Sequence, residues 1–216
     1  MLPRYASIKD LPAALPIFPL NGVLLLPRGR LPLNIFEPRY LAMFDDALAG
    51  DRLVGMVQLS EPKGSGQPSV FQIGCAGRIT SFQETDDGRY HIALDGVARF
   101  RVDAELPLHR GYRSVRPDWS PYAGDLTDEE CNLDRRRLID LLQSYFRING
   151  LSANWDAVEG APDERLLTSV AMICPFAPPE KQALLEAECL SERGRLMMTL
   201  LEIAIAGHGE PDGARH

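Results

Sequence analysis

The stretch Leu15-Pro-Ile-Phe-Pro-Leu-Asn-Gly-Val-Leu-Leu-Leu-Pro27, continued by Leu31-Pro-Leu-Asn-Ile-Phe-Glu-Pro-Arg-Tyr40, decides how the chain is read. Proline punctuates short apolar runs here, and proline can neither donate to a sheet ladder nor sit inside a helix. The segment therefore predicts brief strands with abrupt corners, as at the bent edge of a small barrel. Pro38 is placed to open a helix, because its missing N–H is one that a first turn leaves unbonded anyway. Gly50 stops that helix, and Tyr40, Met43, Phe44 and Ala47 recur at three- and four-residue spacing, so one face is buried.

Working outward, Leu53-Val-Gly-Met-Val-Gln-Leu59 predicts a central strand. Two long strands flank Asp86-Asp-Gly88, where Asp-Gly supplies the positive backbone angles of a hairpin turn. Tyr90, Ile92 and Leu94 alternate with Arg89, His91 and Ala93; a second corner follows at Asp95-Gly96, then a strand over Val97 to Val102. Gly111 to Trp119 closes the set, and the turn formers of Pro117 to Asp125 mark a link. Beyond it the period becomes helical. Thr127-Asp-Glu-Glu130 has the form of a capping box opening a helix to Asn149, with Leu138, Leu141, Leu142, Tyr145 and Ile148 as its buried stripe. Further helices are predicted over 163–174, from Pro179, and after Ser191, the last apolar nearly all round and so central.

The expected fold class is α+β: a twisted, barrel-like antiparallel sheet lobe with one inserted helix over 13–120, then a four-helix bundle over 127–206. The segment 61–69 reads as a mobile loop and 207–216 as a disordered tail.

Composition narrows the function classes. A net charge of −7 provides no global field for nucleic acid or anionic membranes. Cys75, Cys131, Cys174 and Cys189 form no C-x-x-C pair and read as buried thiols of a reducing cytoplasm. The first ten residues lack the apolar run of a signal peptide, and the apolar stretch Leu196 to Ala206 is too short to span a bilayer. A soluble, cytoplasmic protein is expected.

Taken in order, Leu15 to Tyr40, Leu53 to Leu59, and Ile73-Gly-Cys-Ala-Gly-Arg-Ile79 through Asp87 to Arg101 resemble the N-terminal, substrate-binding domain of Lon proteases. Gly74, Gly77, Gly96 and Arg99 meet that family's glycine and Gly-x-x-Arg pattern, and the resemblance covers roughly Ala14 to Ala206. It implies a PUA-like sheet lobe followed by a helical lobe. It also implies a stand-alone bacterial protein-binding module without catalytic residues or cofactors, taking unfolded or tagged polypeptides, with a protease or ATPase as partner. The motor and cutting parts of a full Lon protease find no match. The nearest approach to a phosphate loop, Lys63-Gly-Ser-Gly66, lacks Gly-Lys-Ser/Thr, and Lys181 reads as a solvated residue at a helix start.

The candidate peptide-binding residues are Phe36, Arg39, Tyr40, Trp119 and Tyr122, read as bounding a groove between the lobes with Arg39 supplying polarity. The structural alternative makes Phe36 and Tyr40 core and pairs Glu37 with Arg39 to fix the corner. The rival function is RNA binding by a basic hairpin, with Arg99 and Arg101 the contact residues among Arg89, Arg110, Arg113 and Arg116. Phe100 alternates with Arg99 and Arg101, so no stacking aromatic shares their face, and a solvated outer sheet face is the expected role. Metal ligation is not expected, since His91 and His109 are isolated and Glu84, Asp86 and Asp87 sit at a hairpin tip.

Overall fold

The computed structural model describes residues 5–60, 68–127 and 131–207. The expected mobile loop at 61–67, the acidic part of the capping box at 128–130 and the tail at 208–216 lie outside the described residues.

The proline-punctuated opening forms β1 (Leu15–Pro19) and β2 (Arg30–Ile35), and Pro38 is the first residue of α1 (Pro38–Ala49). Tyr40, Met43, Phe44 and Ala47 are its buried face, as the spacing predicts. β3 (Leu53–Val57) is buried along its whole length. β4 (Ile73–Glu84) and β5 (Tyr90–Glu105) form the long hairpin, with Gly88 at φ +77 in its turn. β6 (Arg113–Asp118) completes a sheet in the order β2-β5-β4-β3-β1-β6.

β5 is long enough to pair twice. Its first half holds β2 and its far end holds β6, so the sheet closes on itself and β2 is left as an outlying edge strand. All pairings are antiparallel except β1 with β3, which run parallel because β2 and α1 form a crossover between them. Asp95-Gly96 is not the predicted corner. The strand runs straight through it, with Val97 as an extra residue between the pairs Gly77–Gly96 and Ala76–Ala98, a β-bulge. A glycine is required there, since a Cβ on Gly96 would lie 1.9 Å from the Leu26 carbonyl oxygen. The β1–β2 loop crosses at that point, with Arg28 N–H donating to Gly96 O at 2.9 Å and Gly96 N–H to Gly29 O at 2.8 Å.

The helices are α2 (Arg135–Ile148), α3 (Trp155–Gly160), α4 (Asp163–Ile173), α5 (Pro178–Glu186) and α6 (Leu190–Gly207). The α2 start differs from the capping-box reading: Asp134 is the N-cap, accepting from the Arg137 N–H at 3.1 Å. Thr127 instead donates to the Gly124 carbonyl at the end of a 3₁₀ segment, Ser120–Leu126. Ile148, expected in the buried stripe, is exposed, and the short α3 makes a fifth helix where four were expected. α6 packs on α2, α4 and α5 and is the centre of the helical part.

Two apolar clusters organise the interior. One fills the barrel around Leu15, Ile17, Phe100, Val115 and Trp119. The other runs without a break from Phe18, Leu24–26 and Phe44 on the sheet side to Leu138, Leu167, Leu184 and Met197 of the helices. Cys75 and Cys174 are buried free thiols, while Cys131 and Cys189 are half-buried. Among the described residues no helix is long and apolar enough to cross a membrane.

Candidate functional site

The corner before α1 is built from side chains that bind one another. Glu37 accepts from Arg39 at 2.8 Å and 3.0 Å, and the Arg39 guanidinium lies 4.5 Å above the Tyr40 ring. Tyr40 in turn rests on Phe18, ring centroids 4.4 Å apart. Arg39 and Tyr40 line a notch of about 170 Å³ together with Pro19, Tyr112 and Arg113. Tyr112 donates to Asp46 at 2.9 Å, and its burial and that bond push its pKa up to about 12. Burial would raise Asp46 as well, but the bonds from Tyr112 and Arg110 outweigh it and hold that carboxyl low. Phe36 stands apart from this set, 63 % exposed.

Trp119 and Tyr122 lie elsewhere. The Trp119 ring sits 5.7 Å from Phe100 inside the barrel cluster, and its indole N–H donates to the Pro12 carbonyl at 3.1 Å. Tyr122 lies under the Arg99 guanidinium, 4.4 Å from ring centroid to Cζ, and lines a separate cleft of about 220 Å³ with Asp125 and Glu188. The five candidate peptide-binding residues are therefore not gathered into one groove.

The arginines of the hairpin also depart from expectation. Arg99 is not on a solvated face; it is 3 % exposed and paired with Asp125 at 2.8 Å. Burial disfavours its charge, but Asp125 outweighs burial and holds its pKa above the ordinary value. Nη1 also donates to the Leu185 and Ala187 carbonyls, which fastens β5 to the α5–α6 turn. The remaining five are each matched to a carboxylate: Arg89 to Asp87, Arg101 to Asp118, Arg110 to Asp46, Arg113 to Glu105 and Arg116 to Asp103. That self-neutralised set removes the basic patch on which RNA binding rested.

A larger concavity, about 610 Å³, lies between β2 and α4. Arg165, Thr168, Ser169, Met172 and Ile173 recur at three- and four-residue spacing and so present one stripe of α4 to it. Arg28, Gly29, Arg30, Leu31 and Pro32 form the opposite wall. A Cβ on Gly29 would lie 2.4 Å from the Met172 sulfur, so glycine permits this close approach of loop and helix. Arg28 sits in the left-handed region at φ 61 and is held there by its side chain, which bonds Glu164 and the Thr127 carbonyl. Ile173 is 73 % exposed at the end of the stripe. Sequence reasoning missed this trough because its walls are far apart in the chain, Arg28 and Glu164 by 136 residues, although a proline-bearing strand followed by free apolar helix residues was a visible signal.

Lys181 is buried rather than solvated. Its Nζ donates to the carbonyls of Gly22 at 3.0 Å and Met172 at 3.4 Å, and burial lowers its pKa. Among the described residues no group of three or more His, Cys, Asp or Glu side chains is arranged to hold a metal.

Residues 14–202 match the profile of a family described as the ATP-dependent protease La (LON) substrate-binding domain. The chain belongs to this family. Lon protease 2 of Myxococcus xanthus is 28 % identical over 212 residues, spanning 92 % of this chain and 24 % of that protein. Lon protease 2 of Thermus thermophilus is 26 % identical over 207 residues, 91 % of this chain and 25 % of that protein. The chain thus spans about a quarter of the length of these curated relatives. The fold is similar to that of a Lon N-terminal domain protein from Xanthomonas campestris, with a TM-score of 0.62 and 23 % identity over 86 % of this chain and 97 % of that one. It is likewise similar to the N-terminal domain of Lon protease from the Mycobacterium avium complex, with a TM-score of 0.64 and 16 % identity over 88 % and 98 % of the two chains. In this Lon substrate-binding domain, two residues behind the sequence resemblance have clear structural work: Gly96 admits the crossing loop and Arg99 ties sheet to helices.

Proposed function

We propose that this member of the Lon family binds extended polypeptide segments without acting on them chemically, and that it presents them to an ATP-dependent protease. The observation that carries the reading is the trough between β2 and α4. It combines apolar side chains at Leu31, Met172 and Ile173 with a neighbouring strand whose outer edge pairs with nothing among the described residues. An extended segment laid there covers apolar surface and gains main-chain hydrogen bonds from β2, the mode of strand addition. The family's description as a substrate-binding domain supports the same reading.

The notch at Arg39 and Tyr40 serves as a second, smaller contact in this proposal. Its volume, about 170 Å³, suits a single aromatic or aliphatic side chain of the same segment, with exposed Phe36 three residues before Arg39.

The test is binding of a labelled, permanently unfolded polypeptide, followed by fluorescence anisotropy. Ile173→Asp should weaken binding about tenfold or more, since burying an isoleucine contributes roughly 1.5–3 kcal/mol. Ile203→Asp, at a residue also exposed but on α6 and outside the trough, should leave binding unchanged. A wild-type protein that binds no unfolded polypeptide refutes the proposal.

A further inference from the structure

The trough is lined by three arginines, Arg28, Arg30 and Arg165, against one carboxylate, Glu164. Arg28 is engaged by Glu164, the carboxylate on the facing helix. Arg30 is not comparably engaged: its side chain is 64 % exposed and approaches Asp95 only to 3.7 Å, without a hydrogen bond. Arg165 is exposed, and no carboxylate among the described residues pairs with it. Two guanidinium groups are therefore available at one concavity of a chain whose net charge is −7. Arg165 has no carboxylate of its own among the described residues, and Arg30 holds Asp95 more loosely than the hairpin arginines hold theirs.

We infer that the trough selects extended apolar segments that carry an acidic side chain. This deepens the peptide-binding reading above and rests on it. Apolar side chains of the segment lie on Met172 and Ile173, and an aspartate or glutamate carboxylate is received by Arg165 and Arg30. Planar guanidinium groups suit a carboxylate because they can offer two parallel N–H donors.

The experiment uses the full chain and four labelled ten-residue peptides of one apolar sequence. Three have a central Glu, Gln or Lys pair and amidated C-termini; the fourth is the Gln peptide with a free C-terminus. The Glu peptide should bind at least tenfold tighter than the Lys peptide in low salt, with the gap narrowing as salt is raised. Arg30→Glu with Arg165→Glu should abolish or invert that order while the unfolding midpoint stays close to wild type. Equal binding of the Glu, Gln and Lys peptides overturns the inference but leaves peptide binding standing, as does an acidic preference that survives the double charge reversal. A preference for the free C-terminus over the Glu side chain overturns it in favour of a terminal carboxylate. Failure of every peptide to bind counts against the peptide-binding reading itself.

Discussion

The thiol of Cys174 is fully buried, and burial raises its pKa from 9.0 to about 11. The folded protein therefore keeps a proton that the unfolded chain loses, so this group's contribution to stability is intact below pH 9 and is lost as pH rises toward 11. Buried Cys75 acts in the same sense, its pKa raised further. Lys181 acts in the opposite sense: burial lowers its pKa from 10.5, so the unfolded chain binds more protons and stability rises with pH up to that value. Tyrosines whose pKa values burial raises above 10.0, among them Tyr40, Tyr112, Tyr122 and Tyr145, act with the thiols, so the urea midpoint should fall between pH 9 and pH 10.5, and Cys174→Ala should make that fall shallower. An unchanged slope in the variant contradicts the assignment. The burial of Cys174 was legible from its apolar helix end. That of Lys181 was not, because the polar run Pro-Pro-Glu-Lys-Gln looks solvated, and its partner carbonyl at Gly22 lies 159 residues away.

Among the elements, those set by local chemistry were legible and those set by distant contacts were not. Pro38 and Gly50 bound α1, and Asp-Gly at 87–88 makes the hairpin turn, because each acts through its own backbone geometry. The Thr127 capping motif misled because Asp134 offers an equally good cap closer to the apolar stripe. Asp95-Gly96 resembled a corner because the loop that crosses it comes from residues 26–29. Arg99 shows the same limit: strand alternation places it outward from the barrel, and only the packed helices turn that outward face into an interior. Removing this tie should be expensive. Arg99→Leu leaves two carbonyls without their donor and Asp125 without its counter-charge, keeping only the residue-99 backbone N–H at 2.8 Å, and denaturant unfolding should show a loss of roughly 3–5 kcal/mol, as for other broken buried pairs. A loss below about 1 kcal/mol, typical of a surface pair, contradicts the role given to it.

At the scale of the whole molecule, a closed sheet and a helical layer share one apolar core, yet leave β2 with an unpaired edge beside α4. Pro32 in the middle of β2 blunts that edge against indiscriminate pairing with other chains. The β-rich first half and helical second half could be read from the change of hydrophobic period. The expected inter-lobe groove could not be placed correctly, since Trp119 is drawn into the barrel and the concavity opens between elements far apart in the chain. Amide hydrogen exchange of the whole protein, with and without a saturating unfolded polypeptide, tests the central claim most directly. Binding in the trough predicts slowed exchange at the amides of Arg30, Leu31, Leu33, Asn34 and Ile35, Pro32 having none, and in the last turns of α4. Protection confined to the Arg99–Tyr122 cleft, or no change in β2, contradicts it.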